Sequence, residues 1–256
     1  MRLTRRTALA ALAAPFAAAR RPYRVEKLWK SPEGHPNALE ATPEGLWLTE
    51  QASDVAYLCD WQTGRVLRRV PTESHNTSGM AYGGGFLWMG ANGKSLFRPE
   101  RPTDRPDGEI LKCDPHTGRT VARYPIPDGG GVHGLVWDNG TLWMTCFRWR
   151  ALVQVDADTF AVRHRIPVTH DRAHGLALDG EGIWCVFSND YLIEKLSRKD
   201  GAVLDAIQLQ KGVDPDPHGL DIKDGHLIYC DAGMAHPDPK LIETETSGYV
   251  VRIIRG

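Results

Sequence analysis

The chain has 256 residues, with 31 Lys and Arg against 32 Asp and Glu, and 41% of its residues are hydrophobic. This balance excludes a disordered or collagen-like polymer, and a net charge of −1 argues against nucleic-acid or membrane-surface binding driven by the field of the whole molecule. With 26 Gly, 17 Pro and 8 Trp, the composition predicts many short elements joined by tight turns rather than long helices.

Residues 1–19 predict an export signal. Arg2, Arg5 and Arg6 precede the run Ala8 to Ala19, which contains only Ala, Leu, Pro and Phe and ends in three alanines. The adjacent Arg5-Arg6 pair and the weakly apolar, alanine-dominated run point to the twin-arginine type. Cleavage would remove three arginines, taking the net charge from −1 to −4, and leave 20–256 as one periplasmic or secreted domain. No later apolar run approaches the length of a membrane span, so no membrane insertion is expected.

Tyr23 to Trp29 reads as a strand, and from there the chain repeats. An apolar pair recurs as Leu46-Trp47, Leu87-Trp88, Leu142-Trp143, Ile183-Trp184 and Leu227-Ile228, at spacings of 41, 55, 41 and 44 residues. Nine residues before each pair stands a second anchor: Asn37-Ala38-Leu39, Ser78-Gly79-Met80, His133-Gly134-Leu135, His174-Gly175-Leu176 and His218-Gly219-Leu220. Periods near 40 with Gly-rich turns predict an all-β, five-bladed β-propeller of four-stranded blades. Within a blade the spacing predicts an inner strand such as Gly134 to Trp137, a turn at Asp138-Asn139-Gly140, a second strand from Thr141 to Thr145, and a turn of the Asp60 to Gly64 kind before a fourth strand such as Arg65 to Val70. The last blade runs out after Tyr249 to Ile254. Arg24 precedes Leu46 by the same 22 residues that separate Arg65 from Leu87, so the N-terminal strand is predicted to complete the last blade and close the ring.

Loops entering the inner strands and loops between second and third strands open on one pole. Both insertions, between Asn92 and Glu109 and between Ala232 and Gly248, fall there, as do seven of ten histidines: His35, His75, His133, His170, His174, His218 and His236. His133, His174 and His218 occupy equivalent positions on successive blades and so form the candidate ligand set for a divalent metal ion, with His75 or Glu50 as a candidate base and Asp231 among the carboxylates that end the second strands. The alternative is inherited repetition, each imidazole bonding a neighbouring blade's backbone. The long second-blade loop supplies Arg98, Arg101 and Arg105, and Arg148 and Arg150 flank Trp149, giving candidate contacts for an anionic or aromatic small molecule. The five cysteines form no disulfide framework; Cys59 and Cys113 are expected in the cores of different blades, and Cys146 alone ends a strand at the pole.

The blades His133-Gly-Leu-Val-Trp-Asp-Asn-Gly-Thr-Leu-Trp and His174-Gly-Leu-Ala-Leu-Asp-Gly-Glu-Gly-Ile-Trp resemble the streptogramin lyase, gluconolactonase-like and NHL propeller superfamily, over nearly all of 20–256. The blade count is also similar to that of secreted glutaminyl cyclases, although the first inner strand opens with Asn37-Ala38-Leu39 where those carry Phe-Thr-Gln-Gly-Leu. The resemblance implies metal-assisted elimination or hydrolysis. The expectation is therefore an exported, monomeric, metal-dependent lyase or hydrolase acting on a small ester, lactone or similar oxygenated substrate; the alternative is a non-catalytic propeller that binds a ligand or protein.

Overall fold

The turn at Asp60-Trp61-Gln62-Thr63-Gly64 shows how the sequence reverses its strands. Asp60 Oδ1 accepts from the Gln62 and Thr63 amides at 3.2 and 2.9 Å and from the Thr63 hydroxyl at 2.7 Å. Asp114 with Thr117, and Asp156 with Thr159, repeat the arrangement. A carboxylate that caps the two amides beyond it fixes the chain in a turn without help from the core, so each of the first three blades carries its own local stop.

The computed structural model describes residues 23–233 and 247–255; the predicted export signal, His236 and most of the last insertion lie outside them. Five four-stranded antiparallel sheets follow one another. The first blade holds β2 (Pro36–Ala41), β3 (Leu46–Glu50), β4 (Val55–Cys59) and β5 (Val66–Pro71). The second holds β6 (Thr77–Gly83), β7 (Phe86–Asn92), β8 (Gly108–Cys113) and β9 (Thr120–Pro125). In the third are β10 (Leu135–Asp138), β11 (Thr141–Cys146), β12 (Ala151–Asp156) and β13 (Val162–Pro167). The fourth contains β14 (Ala173–Asp179), β15 (Gly182–Phe187), β16 (Leu192–Ser197) and β17 (Val203–Gln208). In the fifth, β18 (Pro217–Lys223) pairs with β19 (His226–Asp231), β19 pairs with β20 (Tyr249–Arg255), and the outer place is taken by β1 (Tyr23–Lys30). The predicted closure is therefore present, with Tyr23 opposite Arg255 and Lys30 opposite Tyr249. The inner strands contact one another around the ring in the order β2, β6, β10, β14, β18 and back to β2.

The recurring tryptophan explains the stacking. Trp47, Trp88, Trp143 and Trp184 are each buried, and each lies in the apolar cluster between its own blade and the next. Ile228 takes the place in the fifth interface, with Trp29 of β1 packed alongside. Truncating a buried tryptophan of this kind costs about 3–5 kcal/mol, so these five wedges hold the ring. Cys59 and Cys113 sit in different clusters, as the repeat implied, and all five cysteines are free and buried.

Candidate functional site

The polar anchors reach the axis through a local irregularity. The register of the inner strands slips between Pro36 and Ala38, Thr77 and Gly79, Ala173 and Leu176, and Pro217 and Leu220. Each slip is a bulge at the anchor residue, the device by which a strand re-aims a side chain next to a site. The glycine after each histidine has a separate cause: a Cβ on Gly134 would overlap the His174 carbonyl, and one on Gly175 would overlap the Leu220 amide. Close approach of neighbouring strands accounts for the glycine. It does not account for the histidine.

His133, His174 and His218 form a row at the pole, with ring centroids 4.6 and 4.5 Å apart and successive rings meeting edge to face. His174 is fully buried and neither of its ring nitrogens has a partner; His133 Nδ1 is likewise unpartnered. His218 Nδ1 stands 3.4 Å from the carbonyl of Asp216 in its own blade. None of the three bonds a neighbouring blade's backbone, so the arrangement expected of an inherited structural ring is absent. Burial, helped by the charge of Arg172, pushes His133 down to about 3; burial also holds His174 well below the usual imidazole range, and lowers His218 against the pull of Asp216. At neutral pH the row consists of uncharged imidazoles.

Two cavities flank the row. One, of about 370 Å³, has His133 and Arg172 at one edge and Cys146, Phe147, Ala151 and Val168 as its apolar wall. The other, of about 360 Å³, has His218 and Arg172 at its edge and a polar wall that includes Ser188, Asn189, Lys211 and Asp216. Arg172 belongs to both, sits at a left-handed φ of 53°, and has no hydrogen-bond or ion-pair partner among the described residues. Asn76, its counterpart in the second blade, has a similar φ of 47°, so the conformation recurs at this position of the repeat. The position of Arg172 follows from the repeat: two residues before the anchors stand His35, Asn76, Gly131, Arg172 and Asp216. The first cavity is also lined by His170, whose Nδ1 lies 2.9 Å from Asp190 Oδ2 and whose Nε2 is 3.9 Å from Glu194 Oε1. Burial raises the Glu194 carboxyl, against the pull of His170, and its Oε2 has no partner.

The other half of the pole is differently built. Asn37 Nδ2 donates to Gln51 Oε1 at 2.5 Å, and Gln51 Nε2 donates to Asn76 Oδ1 at 2.7 Å. Asn92 exchanges two 2.8 Å bonds with the Val132 backbone. Glu50 is fully buried, and its two oxygens accept from the Glu33 and His35 amides at 3.0 and 2.7 Å, which pins the loop before β2. His75 Nε2 accepts from the Arg105 amide at 3.4 Å. Neither residue lines the two cavities.

The second-blade arginines are likewise engaged within the protein. Arg98 Nε donates to Asp54 at 2.8 Å and its Nη1 to Asp104 at 2.7 Å, while Arg101 donates to Asp104 and to the Thr72 and Ser74 carbonyls. These contacts fasten the loop to the first two blades. Arg105 and Arg148 are exposed, and Trp149 is half-exposed with the Arg165 guanidinium 5.2 Å from its ring. None of Arg98, Arg101, Arg105, Arg148 and Trp149 lines either cavity. Asp231 is buried and pushed up to about 6 by burial and by the charge of Asp216. The Cys146 thiol is pushed up to about 12 by burial, the opposite of an activated nucleophile.

As metal donors the three histidines fit in chemistry, being neutral, with nitrogens of His174 and His133 free of other partners. As they stand, among the described residues no three His, Cys, Asp or Glu side chains are placed to hold an ion.

The sequence matches no protein-family model and no curated protein. Among solved structures it is similar to the crystal structure of Myxococcus xanthus glutaminyl cyclase, with a TM-score of 0.69 at 11% identity over 93% of this chain and 97% of that one. It is also similar to a streptogramin B lyase structure, with a TM-score of 0.53 at 12% identity over 91% of this chain and 98% of that one. At these identities the likeness supports the propeller fold that the repeat predicted, with the count of five given by the sheets of this chain itself, and no shared chemistry.

Proposed function

We propose that the protein is an exported, monomeric hydrolase or lyase acting on a small anionic ester, lactone or related oxygenated substrate at the pole of its third to fifth blades. The observation that carries this reading is the row of neutral imidazoles, with unpartnered nitrogens on His133 and His174, beside two cavities that share an unpaired arginine. Buried polar groups are ordinarily bonded, so the empty Nδ1 of His133, the ring that lines the first cavity, is a group left open for a ligand. Arg172 supplies the charge that orients an oxyanion or carboxylate. His170 is the proton acceptor: Asp190 fixes its tautomer and orientation through Nδ1, leaving Nε2 to take a proton from water in hydrolysis, or from the carbon beside a carbonyl in elimination. Glu194 stands 3.9 Å from that nitrogen and lines neither cavity, so the protonated imidazole of His170 itself returns the proton to the leaving oxygen. This moves the base from the predicted His75 and Glu50, whose bonds serve their own loops, to the third and fourth blades.

The roles given to His170 and Arg172 do not depend on a divalent ion. Export is supported by the sequence of residues 1–19, and no helix among the described residues is long and apolar enough to cross a membrane.

The test is a turnover screen of aryl esters and lactones bearing a carboxylate, with His170→Ala beside the parent and metal content measured on protein purified without an affinity tag. The expected result is a loss of turnover by about 100-fold or more in His170→Ala with an unchanged melting temperature. Ligand binding without turnover in the parent would favour a non-catalytic binding propeller, and metal lost on His174→Ala would restore the ligand-set reading of the row.

A further inference from the structure

We infer that the two cavities are one bilobed site, and that its ligand is a carboxylate carrying an apolar arm on one side and a hydroxyl-bearing arm on the other. The inference rests on the reading of this pole as the functional site and adds the substrate class. Three observations converge on it. First, Arg172 lines both cavities and has no partner among the described residues, so one guanidinium serves both, and a single anion on it would sit at their junction. Second, the histidine row bridges them: His133 lines the first cavity, His218 the second, and His174 meets both rings edge to face, at 4.6 and 4.5 Å. His174 itself is fully buried and lines neither cavity, so the groups that a molecule crossing from one lobe to the other would meet are Arg172 and the rings of His133 and His218.

Third, the lobes differ in chemistry. Phe147, Ala151 and Val168 offer the first lobe no hydrogen-bonding side chain, and its Arg150 is already paired with Asp171. Ser188, Asn189 and Asp216 give the second lobe hydroxyl, amide and carboxylate groups. Ser188 Oγ is buried and without a partner, which marks a bond awaiting a ligand. Pockets that hold small molecules combine apolar walls with a few placed polar groups, and here the two components are separated along one line with the charge between them.

The experiment uses three probes in titration calorimetry with the purified protein: phenylacetate for the apolar lobe, glycerate for the polar lobe, and N-phenylacetyl-L-serine, in which one carboxylate lies between a phenyl arm and a hydroxyl arm. The double-armed probe should bind at least about tenfold more tightly than either half. Phenylacetate and glycerate should compete, because both need Arg172, and Arg172→Gln should weaken all three by about tenfold or more. Phe147→Ala should weaken phenylacetate and the double probe but not glycerate; Asn189→Trp, at an exposed position, should do the reverse. Simultaneous independent binding of the two halves would overturn the inference, as would insensitivity to Arg172→Gln or no binding of any probe at millimolar concentration. Because the readout is equilibrium binding, an absence of turnover sinks the enzymatic reading and leaves this one standing.

Discussion

The first two blades and the last three meet at the same pole with the same repeat position and settle its polar groups in opposite ways. Asn37 and Ser78 occupy the anchor position in the first two blades, and Asn37 is bound into an amide chain with Gln51 and Asn76, with the loop above latched by Arg98. In the other three blades His133, His174 and His218 stand at that position, His174 with both nitrogens and His133 with Nδ1 unbonded, and His218 with Nδ1 3.4 Å from the Asp216 carbonyl of its own blade. Burying an unsatisfied polar group costs about 1–3 kcal/mol. The first arc carries such atoms too, among them Asn37 Oδ1 and His75 Nδ1, but His174 alone among the described residues buries two empty ring nitrogens. The contrast teaches that symmetry delivers residues to an axis, while hydrogen-bond accounting separates the arc whose side chains bond one another from the arc whose imidazoles do not.

The largest expected effect separates the two residues of one dipeptide. Gly175→Ala drives a Cβ into the Leu220 backbone and should cost about 4 kcal/mol or more in urea unfolding, whereas His174→Leu should leave stability at neutral pH unchanged or higher. Equal losses would mean that the histidine is architectural too.

Next comes the pair of arginines. Arg98 is mostly buried against the fully buried Asp54 and against Asp104, so Arg98→Ala strands a carboxylate and should cost about 3 kcal/mol. Arg172→Ala removes an exposed, unpaired charge and should stay within about 0.5 kcal/mol in the same unfolding experiment. A large loss at Arg172 would erase the distinction between the arcs. Asn37→Ala is intermediate, at about 1–2 kcal/mol, since it leaves Gln51 Oε1 without its donor.

These comparisons also mark what the sequence could disclose. The blade count, the closing strand and the strand ends were legible to within a residue, as in Gly134 to Trp137 against the observed Leu135–Asp138, because a repeat averages local noise and Asp-x-x-Thr turns are self-contained. The histidine row was legible for the same reason. Whether its nitrogens were bonded was not, because the missing partners are a property of three packed blades. Arg98 and Arg101 looked like anion contacts because their counter-charge from Asp54 lies in another blade, although Asp104 stood close by in sequence. Arg172 lies outside both inserted loops, and its signal in the sequence is the repeat frame, which places it two residues before His174.

The smallest expected effect at neutral pH becomes the most informative when pH is varied. In the unfolded chain the three imidazoles titrate near 6.5, while in the folded protein His133 is held at about 3 and His174 and His218 are also lowered. Groups depressed in this way contribute stability that is present above pH 6.5 and lost as pH falls toward the folded value, because the unfolded chain then takes up protons that the folded one refuses. Asp231 and Asp221, both raised to about 6 by burial, act in the opposite sense: their contribution is present below the unfolded value near 3.8 and is lost as pH rises through 6. Those carboxyls remain in a His174→Leu variant and cancel when it is compared with the parent. What does not cancel is one refused proton, worth about 1.4 kcal/mol per pH unit across the window. The two stability curves should therefore lie close together at pH 7.5 and diverge on acidification, with the variant progressively ahead in urea unfolding. Parallel curves would mean that His174 finds a proton partner in the folded protein, and the contrast between the imidazole arc and the bonded amides of Asn37, Gln51 and Asn76 across the axis would be lost.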